Sequence, residues 1–341
     1  MIDRRTLLAA GLASACAPAA AAAGRWTACA PIPWPVQEVY GTAWRGQAVI
    51  AGGMAPGVPG SRGINPQDRV GLYDPARDAW REGPKLPFAR HHPVLATARD
   101  RVHLFGGYKV AEGGWMAIPD ALVLDGEAWT PLPPMPKLQC ETVAVTLGDR
   151  IHIASGRAPK GARNLEWPDQ GDIDLHQVFD ARAGKWETAR PCPLARNSAA
   201  GAGLGGRFYL VGGRQVGGDN SDRLDVYDPR ADRWTTLRPM PRPAGGLAAA
   251  AAGGKLYAFG GEGGPGVIPN AWSYDPKTDR WTAEPDMATP RHGLAGVAAG
   301  GRVLALGGGV KESGGQVSAV AEAFTPCPAH PRACGDPDFP L

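Results

Sequence analysis

The chain has 341 residues, 43% of them apolar and 20% charged, which supplies a sizeable core and excludes a globally disordered chain. Its 36 Lys and Arg against 33 Asp and Glu leave a formal charge of +3, which gives no case for a nucleic-acid partner, since such binding leaves a clustered basic footprint. Its 48 glycines and 34 prolines stand between short apolar runs, the pattern of many strands joined by tight turns.

Residues 1–23 read as an export signal: paired Arg4 and Arg5, an apolar stretch from Leu7 to Ala17, and Ala21 to Ala23 as an Ala-x-Ala cleavage site. Arg4-Arg5 before Thr6-Leu7-Leu8 looks like a twin-arginine signal, with Asp3 where that motif prefers Ser or Thr; the likeness implies crossing of the inner membrane in the folded state. Cys16 raises a lipid anchor, against which Ala13 stands where the lipid-attachment box wants a larger aliphatic. No later stretch offers the apolar run of a membrane span, so the expected location is the periplasm or the outside.

Beyond the signal, two patterns recur. Strand-like runs end in a glycine pair at Gly53, Gly107, Gly213, Gly261 and Gly308, and in Ser155-Gly156. Runs such as LYDPARDAW, LVLDGEAW, VFDARAGKW, VYDPRADRW and SYDPKTDRW end at Trp80, Trp129, Trp186, Trp234 and Trp281. Each tryptophan, with Trp26 counted, lies 26 residues before the first position of the next pair, a spacing that no single phosphate loop predicts. From the pair to the next tryptophan the length varies from 21 residues in the fifth copy to 31 in the third, so insertions collect in loops on one face, where function commonly sits.

Glycine pair, Tyr-Asp-Pro and tryptophan at intervals of about fifty residues resemble the kelch repeat over the whole mature chain. The resemblance implies an all-β, six-bladed propeller with four antiparallel strands per blade. In the fourth copy AAGAGLG supplies the inner strand, RFYLVGG the second, RLDVYDP the third and RWTTLRP the outer one. Small residues such as Ala248 to Ala252 suit strands that converge on an axis, and the periodic tryptophans are expected to pack between blades. The sixth copy lacks its tryptophan while Trp26 is an orphan, so RWTACAPIP is expected to close the last blade and hide a sheet edge. The organisation is then an export signal over 1–23, a propeller over 24–326 and a tail containing proline and cysteine over 327–341.

Cys192 falls in a column otherwise apolar and reads as a small buried hydrophobe. Cys327 and Cys334 read as a local bridge, with Cys29 as the alternative partner, and Cys140 is expected to stay free or react.

Ten to twelve residues after each tryptophan the chain turns into the central channel. There it holds Val36-Gln37-Glu38, Arg90-His91-His92, Gln139-Cys140-Glu141, Arg196-Asn197-Ser198, Ala244-Gly245-Gly246 and Arg291-His292-Gly293. The residues after the glycine pairs, including Arg157, Arg214 and Glu262, are expected on the same rim. Arg90, Arg196 and Arg291 around a funnel point to a carboxylate, sulfate or phosphate on a ligand; equally, arginines can pair with Glu38, Glu141 and Glu262 as a structural network. His103 and His152 read as structural. The long third loop offers Arg163, Asn164, Glu166, Trp167 and Asp169, and the second Tyr108 and Trp115; an aromatic among carboxylates and amides suits a sugar face.

Three functions follow. One is a binding module for a glycan, metabolite or protein, with Arg90, His91, Gln139, Arg157, Arg196, Asn197, Arg214, Glu262, Arg291, His292 and Trp167 as contact residues. The second is implied by a resemblance to the periplasmic N-acetylneuraminate epimerases, six-bladed kelch proteins that interconvert sialic acid anomers. It needs an arginine clamp and an acid or base, for which Glu38, Glu141 and His92 are the candidates. The third, a copper radical oxidase like galactose oxidase, has only Tyr40, His91, His92, His292 and Cys140 to offer. No cofactor and no metal site is expected.

Overall fold

The computed structural model describes residues 24–56, 64–314 and 316–327. The expected export signal, with Cys16, and the tail from residue 328 lie outside the described residues. Six four-stranded antiparallel sheets make a six-bladed propeller. The fourth blade follows the sequence expectation strand by strand: Ala200–Leu204, Arg207–Val211, Leu224–Asp228 and Arg233–Thr236. Inner strands such as Ala248–Ala252 and Ala295–Ala299 carry small side chains, which lets six of them approach one axis. The last blade is closed by Arg25–Ala28, which pairs antiparallel with Ala321–Thr325 and sets Trp26 opposite Phe324.

One latch repeats at every joint between blades. Each outer-strand tryptophan donates its indole N–H to the backbone carbonyl four residues past the tryptophan of the preceding blade: Trp80 to Ala30, Trp129 to Pro84, Trp186 to Pro133, Trp234 to Arg190, Trp281 to Arg238 and Trp26 to Pro285. In blades 1, 4 and 5 an aspartate doubles it. Asp78, Asp232 and Asp279 accept both the hydroxyl of their own blade's Tyr73, Tyr227 or Tyr274 and the backbone N–H of Ala30, Arg190 or Arg238 next door. The Tyr-Asp-Pro-x-x-Asp-x-Trp segment is therefore an inter-blade clasp.

Both positions of a glycine pair are left-handed, as at Gly212 (φ 64) and Gly213 (φ 100), and a Cβ at Gly213 would come 2.8 Å from the Asn197 carbonyl. Only glycine fits there without strain. Cys192 is buried beside Trp234. Cys29 is free whereas Cys327 is disulfide-bonded, so the alternative of a tail pinned to Cys29 is set aside; the described cysteines otherwise are free, and the partner of Cys327 lies outside the described residues. Among the described residues no helix is long and apolar enough to cross a membrane.

Candidate functional site

The tenth position after each tryptophan corrects the expected funnel of arginines. Arg90, Arg196 and Arg291 are fully buried and turn into their own blades. Arg196 donates to the Gly212 carbonyl at 2.8 Å and pairs with Asp225 at 3.0 Å. Arg291 donates to Gly307 at 2.6 Å and pairs with Glu322 at 2.6 Å. Arg90 donates to Gly106 at 3.2 Å and faces Asp120 at 3.5 Å. Gln139 does the same work in blade 3, donating to Ser155 and accepting from Gln177. In all four the side chain caps the carbonyl of the first residue of a glycine pair, which the tight turn leaves without a ladder partner. These residues hold strands together and do not ring the mouth.

The next two positions diverge from it. At the eleventh, the backbone makes an isolated bridge with the residue following the glycine pair: Gln37 with Met54, His91 with Tyr108, Cys140 with Arg157, Asn197 with Arg214, Gly245 with Glu262 and His292 with Gly309. At the twelfth, Glu38, His92, Glu141, Ser198, Gly246 and Gly293 all take left-handed conformations, with φ between 46 and 64. These six form a collar around the axis, stitched by backbone bonds such as Ser198 to Glu141 at 3.2 Å and Gly246 to Ser198 at 2.8 Å.

Above the collar lies a cavity of 290 Å³ lined by Gln37, Glu38, Met54, His92, Trp115, Glu141, Arg157, Trp167, Arg214, Ser313 and Gly314. Its floor is a network of compensated charges. His92 Nε2 lies 2.8 Å from Glu38, Arg157 3.3 Å from Glu141, and Arg214 2.5 Å from Glu262, while the Ser198 hydroxyl donates to Glu141 at 2.9 Å. Burial alone would raise the Glu38 carboxyl, but His92, His292 and Arg214 outweigh it and bring it down to about 2. Burial pushes the His92 imidazole down, and the Glu38 and Glu141 carboxylates more than reverse this, so its pKa is raised. Beside it, burial and the His92 charge hold His91 well below the ordinary histidine value. The network that sequence reading weighed as the structural alternative thus exists, built from Arg157 and Arg214 rather than from the three buried arginines.

One wall comes from the variable loops. Trp167, in a short 3-10 turn (Trp167–Asp169), is 40% exposed and lies under the Arg157 guanidinium at 5.0 Å and edge-on to Trp115 at 5.7 Å. Asn164 docks this loop on the two-stranded ribbon of the second blade (Tyr108–Ala111 with Gly114–Ala117) through the N–H and carbonyl of Ala117. Arg163, Glu166 and Asp169 serve the loop's own geometry, since Arg163 pairs with both carboxylates and Asp169 accepts the Leu165 and Glu166 N–H groups.

Sequence comparison agrees with this architecture. A family model described as the KLHDC2/KLHL20/DRC7 Kelch-repeats domain matches residues 142–321, more than half of the chain. The chain belongs to the kelch-repeat family. Kelch-like protein terF of Aspergillus terreus is 26% identical over 156 residues, covering 44% of this chain and 33% of that protein. Human Kelch-like protein 23 is 26% identical over 191 residues, covering 55% and 32%. The chain thus spans about a third of the length of these curated relatives. A solved structure titled "Structure of YjhT" superposes with a TM-score of 0.73 at 15% identity, over 88% of this chain and 97% of that one, a likeness of fold.

The kelch propeller therefore gathers Glu38, His92, Glu141, Arg157, Arg214 and Trp167 on one cavity, with His91, Asn197, Glu262 and His292 directly behind them. Met54, Ser313 and Gly314 were not singled out from the sequence. Met54 had a signal, since it follows a glycine pair as Arg157 and Arg214 do; Ser313 sits in a loop with no counterpart in other copies. Cys140 is buried and donates its thiol to the Gly107 carbonyl, and burial pushes its pKa up to about 12, which leaves it unreactive. Among the described residues no three His, Cys, Asp or Glu side chains are placed to hold a metal ion.

Proposed function

We propose that the kelch propeller binds a small carbohydrate-like ligand in this cavity. The observation that carries the reading is the pairing of an indole wall, Trp115 and Trp167, with a floor of carboxylates and guanidinium groups at 290 Å³, room for about one sugar ring. An aromatic face packs the apolar side of a pyranose, and mixed donors and acceptors answer its hydroxyls. Because Arg157 and Arg214 already face Glu141 and Glu262, the charge balance favours hydroxyls over a strongly anionic group. The test is isothermal titration and thermal shift against neutral sugars, uronic acids, sialic acids and sulfated sugars. A responding sugar should bind about tenfold more weakly to Trp167→Ala. Equal binding by the variant, or no response to any sugar, removes the reading.

A second reading, anomer exchange of a carboxylated sugar, draws on two carboxylates, Glu38 and Glu141, lining one cavity with Arg214 nearby. NMR of sialic acid anomer exchange tests it: no acceleration at micromolar protein ends it. Export belongs to the same proposal, since residues 1–23 carry the signal features; periplasmic fractionation, with Arg4-Arg5→Lys-Lys as the blocked control, decides it.

A further inference from the structure

Two pairs of neighbouring side chains make the same contact in blades 2 and 4. In blade 2, His92 reaches forward to Glu38 at 2.8 Å and sideways to His91, Nδ1 to Nδ1, at 2.6 Å. In blade 4, Ser198 reaches forward to Glu141 at 2.9 Å and sideways to Asn197 Oδ1 at 2.9 Å. The Asn197 amide nitrogen donates to Asp172 and to the Arg214 carbonyl, which fixes its Oδ1 as an acceptor. Each chain therefore runs from an eleventh-position residue through a twelfth-position residue to the carboxylate of the preceding blade.

The protons follow from the geometry. Two Nδ1 atoms at 2.6 Å share one proton, so one ring donates and the other accepts. The ionised Glu38 only accepts, so His92 carries a proton on Nε2. Ser198 has one hydroxyl proton to share between Glu141 and Asn197, whereas an imidazolium has two; with His91 as the acceptor, His92 is that imidazolium and His91 a neutral ring protonated on Nε2. That atom is buried without a hydrogen-bond partner, and the ring meets Trp115 at 4.7 Å, where an N–H beside the electron-rich indole is favoured over a lone pair. Charge around His92 agrees: Glu38 and Glu141 favour its cationic form and Arg214 opposes it, while Tyr40, Tyr108 and Cys140 are kept neutral by burial. Farther out, Arg157 faces Glu141, and His292 lies between Glu38 and Glu262.

We propose that His91, His92 and Glu38 form a chain carrying one exchangeable proton, with His91 as the acceptor that orients His92 and Glu38 as the end that meets the ligand. Delivery breaks the His92 Nε2–H bond, leaving its pair on nitrogen, and makes the Glu38 carboxyl neutral. That carboxyl then gives the proton to an oxygen lone pair of the ligand and returns to carboxylate, while His92 keeps its Nδ1–H on His91. Glu141 instead accepts from the Ser198 hydroxyl, the Tyr108 hydroxyl and the Arg157 guanidinium, which makes it the acceptor of the cavity. The two carboxylates of the cavity thus have different tasks, and a ligand of this site presents an acceptor oxygen to Glu38 and a hydroxyl to Glu141. This consequence rests on the proposed sugar reading; the proton chain does not, and its test needs no ligand.

The test is imidazole ¹⁵N NMR of the folded protein across pH 5.5 to 9. The expected spectrum of the seven histidines at pH 7 includes an imidazolium that is lost in His92→Gln and a neutral Nε2–H ring that is lost in His91→Asn. In His91→Phe the His92 midpoint falls by about one pH unit, and in His91→Asn it stays within about half a unit of the parent. A neutral His92 at pH 7 in the parent overturns the proposal, and so does an unchanged midpoint in His91→Phe. Should that variant not fold, the parent spectrum decides alone.

Discussion

Replacing Arg196 separates a scaffold role from a ligand role. Arg196 and Asp225 are both wholly shielded from solvent at 3.0 Å, and removing one member of such a pair strands the other charge, which costs about 3–5 kcal/mol. Asp225 would keep Arg223, at 2.7 Å and still partly exposed, and the Thr236 hydroxyl at 2.8 Å. These partners place Arg196→Leu at the lower end, even with the donors to Gly212 and Leu210 lost, at about 3 kcal/mol. For a domain of this size that is about 6 °C in melting temperature.

The same two columns show how the loss is reversed. Third-strand residues opposite the position two before each glycine pair are Asp225, Glu322, Gln177, Leu122, Trp272 and Gly71, in the blades of Arg196, Arg291, Gln139, Arg90, Ala244 and Val36. Polar meets polar in three blades and apolar meets small or apolar in two, while in blade 2 Arg90 finds Leu122 in this column and faces Asp120 instead. Arg196→Leu/Asp225→Leu should therefore recover to within about 1 kcal/mol of the parent in urea unfolding, as matched apolar replacement of a buried pair does. If Arg196→Leu is as stable as the parent yet loses ligand binding, the guanidinium belongs to the mouth and not to the blade.

Three more outcomes follow from the clasp and the collar. Deleting residues 25–32 removes Trp26 and a whole outer strand, so the truncated chain should not unfold cooperatively; an unchanged melting temperature would refute closure by that strand. Gly293→Ala puts a Cβ 2.8 Å from the Glu38 carboxylate at φ 58, so it should cost about 1–2 kcal/mol by denaturation and weaken binding; parent-like behaviour would show that Glu38 moves freely. Burial holds His103 at about 4, His152 at about 3 and His176 at about 4, so below the ordinary 6.5 the unfolded chain binds protons that the folded one refuses. Their contribution is present above 6.5 and falls as pH drops towards those values, whereas the raised His92 contributes below 6.5 and is lost as pH rises through its folded value. A stability profile against pH should therefore fall on the acid side, less steeply in His103→Leu; an identical slope in that variant would contradict the assignment.

What the sequence made legible is what every copy must share. The tryptophan and glycine spacings held because each indole finds the same neighbouring carbonyl and each pair makes the same left-handed turn. The arginines were misplaced because Arg196, Asn197 and Ser198 are adjacent in sequence but face three ways: into the blade, along the bridge and, at φ 50, onto the collar. Asp225, the residue that would have shown where Arg196 turns, lies 29 positions downstream in a column without a motif. The cavity wall was half visible: Trp167 stands out as an aromatic in a long polar loop, whereas Ser313 has no column to be compared with.

The site arises from the six-fold frame by omission as much as by addition. All twelfth-position residues share one backbone conformation, so six side chains would crowd a single axis. Two of the six are glycines, and neighbours enter the space they leave: the Glu38 carboxylate lies where a Cβ of Gly293 would point, and Arg214 and Asn220 lie over Gly245 just before the second. The Glu38 carboxylate and Arg214 thereby lean toward blades 5 and 6, while Trp115 and Trp167 stand on the loops of blades 2 and 3, and an axis that is symmetric in its backbone becomes a cavity with one wall and one floor. A propeller with large side chains at all six collar positions would be equally well latched between its blades and would have no room for a ligand.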